Sequence, residues 1–219
     1  MVKGTKERLS RETVTRAAVS LADSEGIEAL TIRRLATDLG VTPMALYWHF
    51  KDKDALFDGI AEAVLAEVEL PEETGAETWD GELRVVLDAL CAALAAHPAV
   101  AELVKGRFLQ NDAGCEITER VLALLRAGGF STEQASQLAV YALLFMVGLV
   151  TGMPGLVIGS DEEEREQAVR RKWASLQALS PKRFPCIIES SASLTDCAAS
   201  DQWLDDGMDT LMAGIRGRA

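Results

Sequence analysis

Residues 30–56 of this 219-residue chain read LTIRRLATDLGVTPMALYWHFKDKDAL, and their pattern decides the fold. Thr31 is a candidate N-cap, and Ile32, Leu35, Ala36 and Leu39 recur at the spacing of one helix face. Gly40 ends that helix, because a residue without Cβ enters the left-handed conformation at no steric cost. Thr42 and Pro43 then restart one. Proline at the first helical position gives up no needed donor and its fixed φ suits the turn, so Met44 to Phe50 is predicted helical. Two short helices about a Gly-Val-Thr turn form a helix-turn-helix pattern, the first supporting and the second suited to a DNA major groove. By position, Thr42, Pro43, Met44 and Ala45 would face base edges, with methyl and thioether groups meeting thymine methyls and Thr42 hydrogen-bonding.

Upstream, Ser10 caps a helix whose apolar positions are Val14, Ala17, Ala18 and Leu21, and Gly26 stops it. The tail before it has Lys3, Lys6 and Arg8 but no apolar period; it is either an arm that touches phosphates or an unstructured end. Downstream, Asp52 or Asp54 caps a longer amphipathic helix with Leu56, Ile60, Val64 and Val68, ending before Pro71. Residues 71–78 are polar and acidic, the expected domain joint. The chain therefore divides into a head over 1–53, a connecting helix over 54–70 and a body over 71–219.

The body also reads as helical. Trp79 to Ala96 has apolar residues at Leu83, Val86, Leu87, Leu90 and Leu94, and His97-Pro98 interrupts it. A helix over Cys115 to Ala127 ends at Gly128-Gly129, and Ser131 with Gln134 forms a capping box for the next. Leu138 to Gly159 carries no charge over 22 residues, enough for a membrane span of roughly 20. Pro154, the glycines at 148, 152, 155 and 159 and the absence of flanking Lys/Arg clusters favour a helix shared between a core and a subunit interface, with no membrane partner. Ser160 with Glu163 forms a second capping box, and the acidic first turn and basic Arg170, Arg171 and Lys172 suit the helix dipole. One short helix is expected from Ile187 to Leu194. Ser200 caps a last helix whose Trp203, Leu204, Met208, Leu211, Met212 and Ile215 share a side, an apolar stripe expected in a dimer interface.

The net charge of -12 is unevenly spread. Residues 1–53 hold nine Lys/Arg and seven Asp/Glu, net +2; subtraction from the totals of 22 and 34 leaves 13 and 27 for the rest, net -14. A mildly basic head on an acidic body argues against a generic polyanion binder and for local DNA contact. The four cysteines form no CxxC pair, and His49 and His97 add no zinc spacing, so reduced thiols and no metal or cofactor are expected. No nucleophile-elbow, zincin, phosphate-loop or dinucleotide-binding pattern occurs, so no enzyme activity is expected. The N-terminus lacks the apolar stretch of a secretory signal, and a cytoplasmic protein is expected.

Residues 30–56, above all YWHFKDKDAL, resemble the DNA-binding head of the tetracycline-repressor (TetR) family. The segments SPKRFP and SDQWLDDGMDTLMAGI are similar to the end of that family's C-terminal domain. The resemblance implies an all-α fold, a three-helix head on a larger ligand-binding and dimerisation body. It implies a homodimer joined by helices around 132–152 and 200–215, binding a palindromic operator in double-stranded DNA and released from it by a small molecule. Arg33 matches a position that contacts guanine, with a phosphate contact as the alternative, and Thr31, Tyr47, His49 and Lys53 resemble phosphate-contacting positions. Phe50 is expected in the core, whereas Trp48 is open between core and DNA.

The family's drug and magnesium positions carry Glu69, Val86, Leu90, Val104, Arg107 and Arg120 here, without the metal-binding histidine or the hydrogen-bonding amides. Magnesium-tetracycline is therefore not the expected effector. Leu90, Val104, Phe108, Leu124, Tyr141 and Phe145 would suit an apolar or aromatic molecule, with Arg107 or Arg120 meeting an acidic group. The alternative function is an effector-independent or architectural DNA-binding protein, with weak sequence preference and steep salt dependence.

Overall fold

Short polar side chains set where most helices begin. In the computed structural model, which describes residues 9–70, 77–156, 161–196 and 200–219, α1 spans Arg11–Glu25 and Ser10 accepts the Thr13 amide at 3.1 Å. Thr31 caps α2 (Ile32–Asp38) through the Arg34 amide at 3.1 Å, and Thr42 caps α3 (Pro43–Tyr47) through the Ala45 amide at 3.3 Å. Of the two candidates for α4 (Lys53–Leu65), Asp52 is the cap, accepting from Ala55 at 2.8 Å. Thr78, read as linker, instead caps α5 (Trp79–Ala96), and Pro98 opens α6 (Pro98–Lys105).

Asn111 caps α7 (Asp112–Ala127), which starts one turn earlier than its apolar period indicates. Both bonds of the Ser131–Gln134 capping box are present at α8 (Thr132–Thr151). Asp161, not Ser160, caps α9 (Glu162–Gln177); Ser160 lies outside the described residues. The single helix expected before residue 195 is two, α10 (Pro185–Glu189) and α11 (Ser191–Thr195), and α12 spans Ser200–Arg216. No strand occurs among the described residues. Residues 1–8 of the tail, residues 71–76 of the joint, residues 157–159 of the apolar run, Cys197 and the Ser200 side chain also lie outside them.

One continuous core runs from head to body. Val14, Ala18 and Ala22 of α1 pack with Leu35, Leu46, Phe50, Leu56 and Ile60, and Leu83, Leu87, Val100 and Leu125 continue the same cluster. α4 packs on α1 in the head and on α6 and α7 in the body.

α8 resolves its double reading as a core helix with a spare face. It buries Leu138, Ala142, Met146 and Val150, while Val140, Tyr141, Leu144 and Phe145 stand exposed. By length and hydropathy alone it is a possible membrane crosser, but its packing against α5, α6, α7 and α12 accounts for the buried half.

α12 corrects the expected dimer stripe. Met208, Met212 and Ile215 are almost fully buried in their own subunit, because α12 lies against α5 and α8. Arg84 of α5 pairs with Asp88 and Asp209, and Arg216 pairs with Asp80 at 2.6 Å, fixing that face inward. Leu204 and Leu211 are half-buried against the same core. Trp203 stays half-exposed beside Phe145, its indole donating to the Leu149 carbonyl at 3.0 Å.

Candidate DNA-binding surface and effector cavity

The turn of the helix-turn-helix is held by backbone chemistry. Gly40, at φ 64°, donates to the Thr37 carbonyl at 3.1 Å, and Val41 donates to Ala36 at 2.9 Å. This paired closure satisfies the end of α2 and needs a left-handed residue at position 40, hence glycine. Leu46 and Phe50 anchor α3 from beneath. α3 ends at Tyr47, earlier than expected, because His49 and Phe50 both donate to the Leu46 carbonyl at 2.9 Å and tighten the chain, turning the Phe50 ring into the core. Arg11 of α1 stacks over that ring with 4.6 Å to its centroid.

Anchored in this way, α3 presents its other side to solvent. Thr42, Pro43, Met44, Tyr47 and Trp48 are exposed, Met44 at 67% and Trp48 at 86%, while Ala45 and His49 are half-buried. Trp48 therefore belongs to the outer surface, not the core. Thr31, Arg33 and Lys53 are exposed as well. Arg33 and Arg34 are adjacent but differ in use: Arg34 bridges Glu25 at 2.6 Å and Asp38 at 3.1 Å, whereas Arg33 makes no ion pair among the described residues. Those two carboxylates raise the Arg34 pKa, the Asp38 hydrogen bond first, and tie the guanidinium into the head. Lys53 lies 4.9 Å over the Phe57 ring, which leaves its ammonium in solvent.

A cavity of about 290 Å³ opens in the body among α5, α6, α7 and α8. Leu87, Leu90, Phe108, Val121, Leu143 and Met146 give it apolar walls, and Lys105, Gln110 and Thr118 supply its polar side-chain groups. Next to it, Arg107 turns away toward the connecting helix. Its Nε donates to Asp58 at 2.9 Å, its Nη2 is 3.6 Å from Asp54, and its guanidinium lies 5.5 Å from the centre of the Phe57 ring.

Residues 14–60 match the family model described as "Bacterial regulatory proteins, tetR family", and residues 70–219 match "Tetracyclin repressor-like, C-terminal domain". The chain belongs to the tetracycline-repressor family. It is a DNA-binding transcriptional regulator. The HTH-type transcriptional repressor DrrR1 of Streptomyces coeruleorubidus is 28% identical, with 99% of this chain and 83% of that one covered. The class A tetracycline repressor from transposon 1721, in Escherichia coli, is 31% identical over 96% of this chain and 92% of the relative. Among solved structures, ActR of Streptomyces coelicolor in complex with actinorhodin superposes with a TM-score of 0.72 at 26% identity, covering 96% and 98% of the two chains.

Within this tetracycline-repressor-family body, two of the residues expected around the effector, Leu90 and Phe108, line the cavity. Val86, Val104 and Leu124 are packed into the core behind it. Arg107 is committed to α4, and Arg120 pairs with Glu82 at 3.1 Å, so neither guanidinium faces the cavity. Tyr141 and Phe145 lie on the exposed face of α8. Periodicity gave the apolar face of each helix but not its rotation about the cavity. Lys105, Gly106, Gln110 and Thr118 were missed because each looks like an ordinary helix-end or surface residue. The one local signal was Gly106 followed by the aperiodic segment to Asn111, a break in helix where a cavity has room to form.

Proposed function

We propose that this regulator represses transcription by holding a palindromic operator with two copies of its 30–56 helix-turn-helix, and releases it when a largely apolar, aromatic molecule enters the α5–α8 cavity. The observation that carries this reading is Arg107, which joins the cavity rim between Gly106 and Phe108 to Asp58 on α4. A molecule pressing on that rim has a direct mechanical path to the connecting helix and from there to the head. Only a difference in its affinity for the two head arrangements can shift the operator equilibrium.

In this reading residues 1–53 form the DNA-binding head, 54–70 the connecting segment and 71–219 the effector and dimerisation body. Thr42, Pro43, Met44 and Ala45 read bases, Arg33 meets a guanine, and Thr31, Tyr47, Trp48, His49 and Lys53 hold backbone. The exposed face of Val140, Tyr141, Leu144 and Phe145, with Trp203, covers the second subunit and sets the recognition helices about 34 to 36 Å apart. Lys105 lines the cavity, and an acidic group on the effector would have to displace its pairing with Glu102 three residues earlier; Arg107 and Arg120 do not line the cavity. The protein regulates and does not catalyse, and it works in the cytoplasm, beside the DNA it reads.

The test is selection of bound duplexes from a random pool, then anisotropy on the recovered duplex with increasing anilinonaphthalene sulfonate, an apolar aromatic anion. A palindrome and a loss of DNA affinity as the dye binds are expected. Sequence-independent binding with a steep salt slope would instead place the chain with architectural proteins.

A further inference from the structure

The corner between α5 and α6 carries a second set of contacts between head and body, away from the effector cavity. His97 sits in that corner and points both ring nitrogens at carboxylates from other elements. Its Nδ1 is 2.7 Å from Asp23 Oδ2 near the end of α1, and its Nε2 is 3.0 Å from Glu67 Oε2 just beyond α4. A neutral imidazole has one N–H and one lone pair, and an ionised carboxylate only accepts. With both carboxylates ionised, the two contacts are hydrogen bonds at the same time only if the ring is imidazolium. Asp23 Oδ1 is buried without a partner, so this carboxylate depends on the His97 contact for compensation.

The three groups line a cleft of about 820 Å³ between α1, the end of α4 and the corner. Glu12 and Arg16 of α1 are the other charged groups in its wall and pair with each other at 2.9 Å. On α6, Glu102 and Lys105 likewise pair with each other. Asp23 and Glu67 are thus the charges aimed at the ring, and open space beside them gives the elements room to part.

We propose that His97 is a proton-dependent latch between head and body: protonated, it ties α1 and the end of α4 to the α5–α6 corner, and deprotonated, it releases one of them. The freedom of the head, and through it operator affinity, then responds to protons as well as to effector. This rests on the division into DNA-binding head and effector body given above. Partial burial works against the imidazolium, but the hydrogen bonds and charges of Asp23 and Glu67 outweigh it and raise the His97 pKa above its ordinary 6.5. A raised folded-state pKa means that the clamp is complete below the unfolded value of 6.5 and is lost as pH rises through the folded value.

The test uses the full chain as wild type, His97→Gln and Asp23→Asn. Ring-labelled NMR follows the His97 titration, and hydrogen exchange, corrected for intrinsic rate, is compared at about pH 6 and about pH 8.5, either side of the histidine range. His97 should titrate above 6.5, and protection of residues 19–25 and 62–68 should fall about two- to fivefold at the higher pH, the span of partly exposed ion pairs. His97→Gln should be weakly protected at both pH values, and Asp23→Asn should lower the His97 midpoint. A midpoint at or below 6.5, or a pH dependence in His97→Gln equal to wild type, overturns the latch. Should His97→Gln fail to fold by circular dichroism, the wild-type titration and Asp23→Asn decide alone. Failure of the random-pool selection would remove the operator reading and leave these exchange measurements intact, so the two ideas fail separately.

Discussion

Gly114, in the first turn of α7, touches no DNA and does not line the effector cavity, yet its replacement by alanine should disturb the cavity directly. A Cβ built there falls 1.8 Å from the Phe108 carbonyl oxygen and 2.8 Å from the carbonyl carbon. Because the obstacle is backbone, no side-chain rotation relieves it. The 108–110 turn must retreat by about 1.5 Å to regain ordinary contact, and it carries the Phe108 ring, a cavity wall, with it. Overpacking of this kind costs about 3 kcal/mol at the upper end, against about 1 kcal/mol gained from alanine's helix propensity. The net loss of about 2 kcal/mol should lower the melting temperature by about 4 to 8 °C in a chain of this length. Gly106→Ala is the control for stability alone, because Gly106 itself lines the cavity: its Cβ would meet nothing within 4 Å and its backbone is already helical, so it should melt within about 0.5 kcal/mol of wild type. Differential scanning calorimetry at fixed protein concentration, with a parallel anilinonaphthalene sulfonate titration, reads both effects. A Gly114→Ala melting temperature at or above wild type, with unchanged dye binding, would refute the packing argument and the cavity wall built on it.

Three further outcomes are expected. Arg33→Ala should cost about 1 to 3 kcal/mol at one base position and relax specificity there, whereas Lys53→Ala should weaken all duplexes alike; repeating the random-pool selection on both variants separates base reading from phosphate holding. Phe145→Glu places a charge on the exposed α8 face beside Trp203 and should shift sedimentation velocity from dimer toward monomer, with secondary structure unchanged because the ring is not part of the subunit core. Burial pushes the Cys91 thiol up to about 11, helped by the charges of Asp88 and Asp205, so native Cys91 should resist a thiolate-selective reagent at neutral pH and react on unfolding, as peptide mass mapping would read.

The divergences between the sequence reading and the folded chain share a cause. Met208, Met212 and Ile215 have the periodicity of any apolar helix face, and nothing local says whether that face meets its own subunit or another. The packing of α12 on α5 and α8, locked by Arg84 and Arg216, turns them inward. On α8, expected in the same interface, the lack of charge was legible but the division into a buried and an exposed face was not. Arg107 and Arg120 could each have faced a ligand; their partners Asp58 and Glu82 lie 49 and 38 residues away, beyond the reach of any local pattern. Arg34, by contrast, finds Asp38 within its own helix, a pairing the i,i+4 spacing already contains.

The sequence by itself determined what depends on near neighbours. The caps at Ser10, Thr31, Thr42 and the Ser131–Gln134 box, the left-handed Gly40 turn and the order of supporting and recognition helices all arise within a few residues, where hydrogen bonding and backbone sterics act. Tertiary structure alone decided the rotation of each helix: which residues wall the cavity, which carboxylates Arg107 and Arg120 meet, which apolar face of α8 stays exposed, and that His97 meets Asp23 and Glu67. Those choices minimise buried polar surface and empty volume over the whole chain at once, so no single segment contains them.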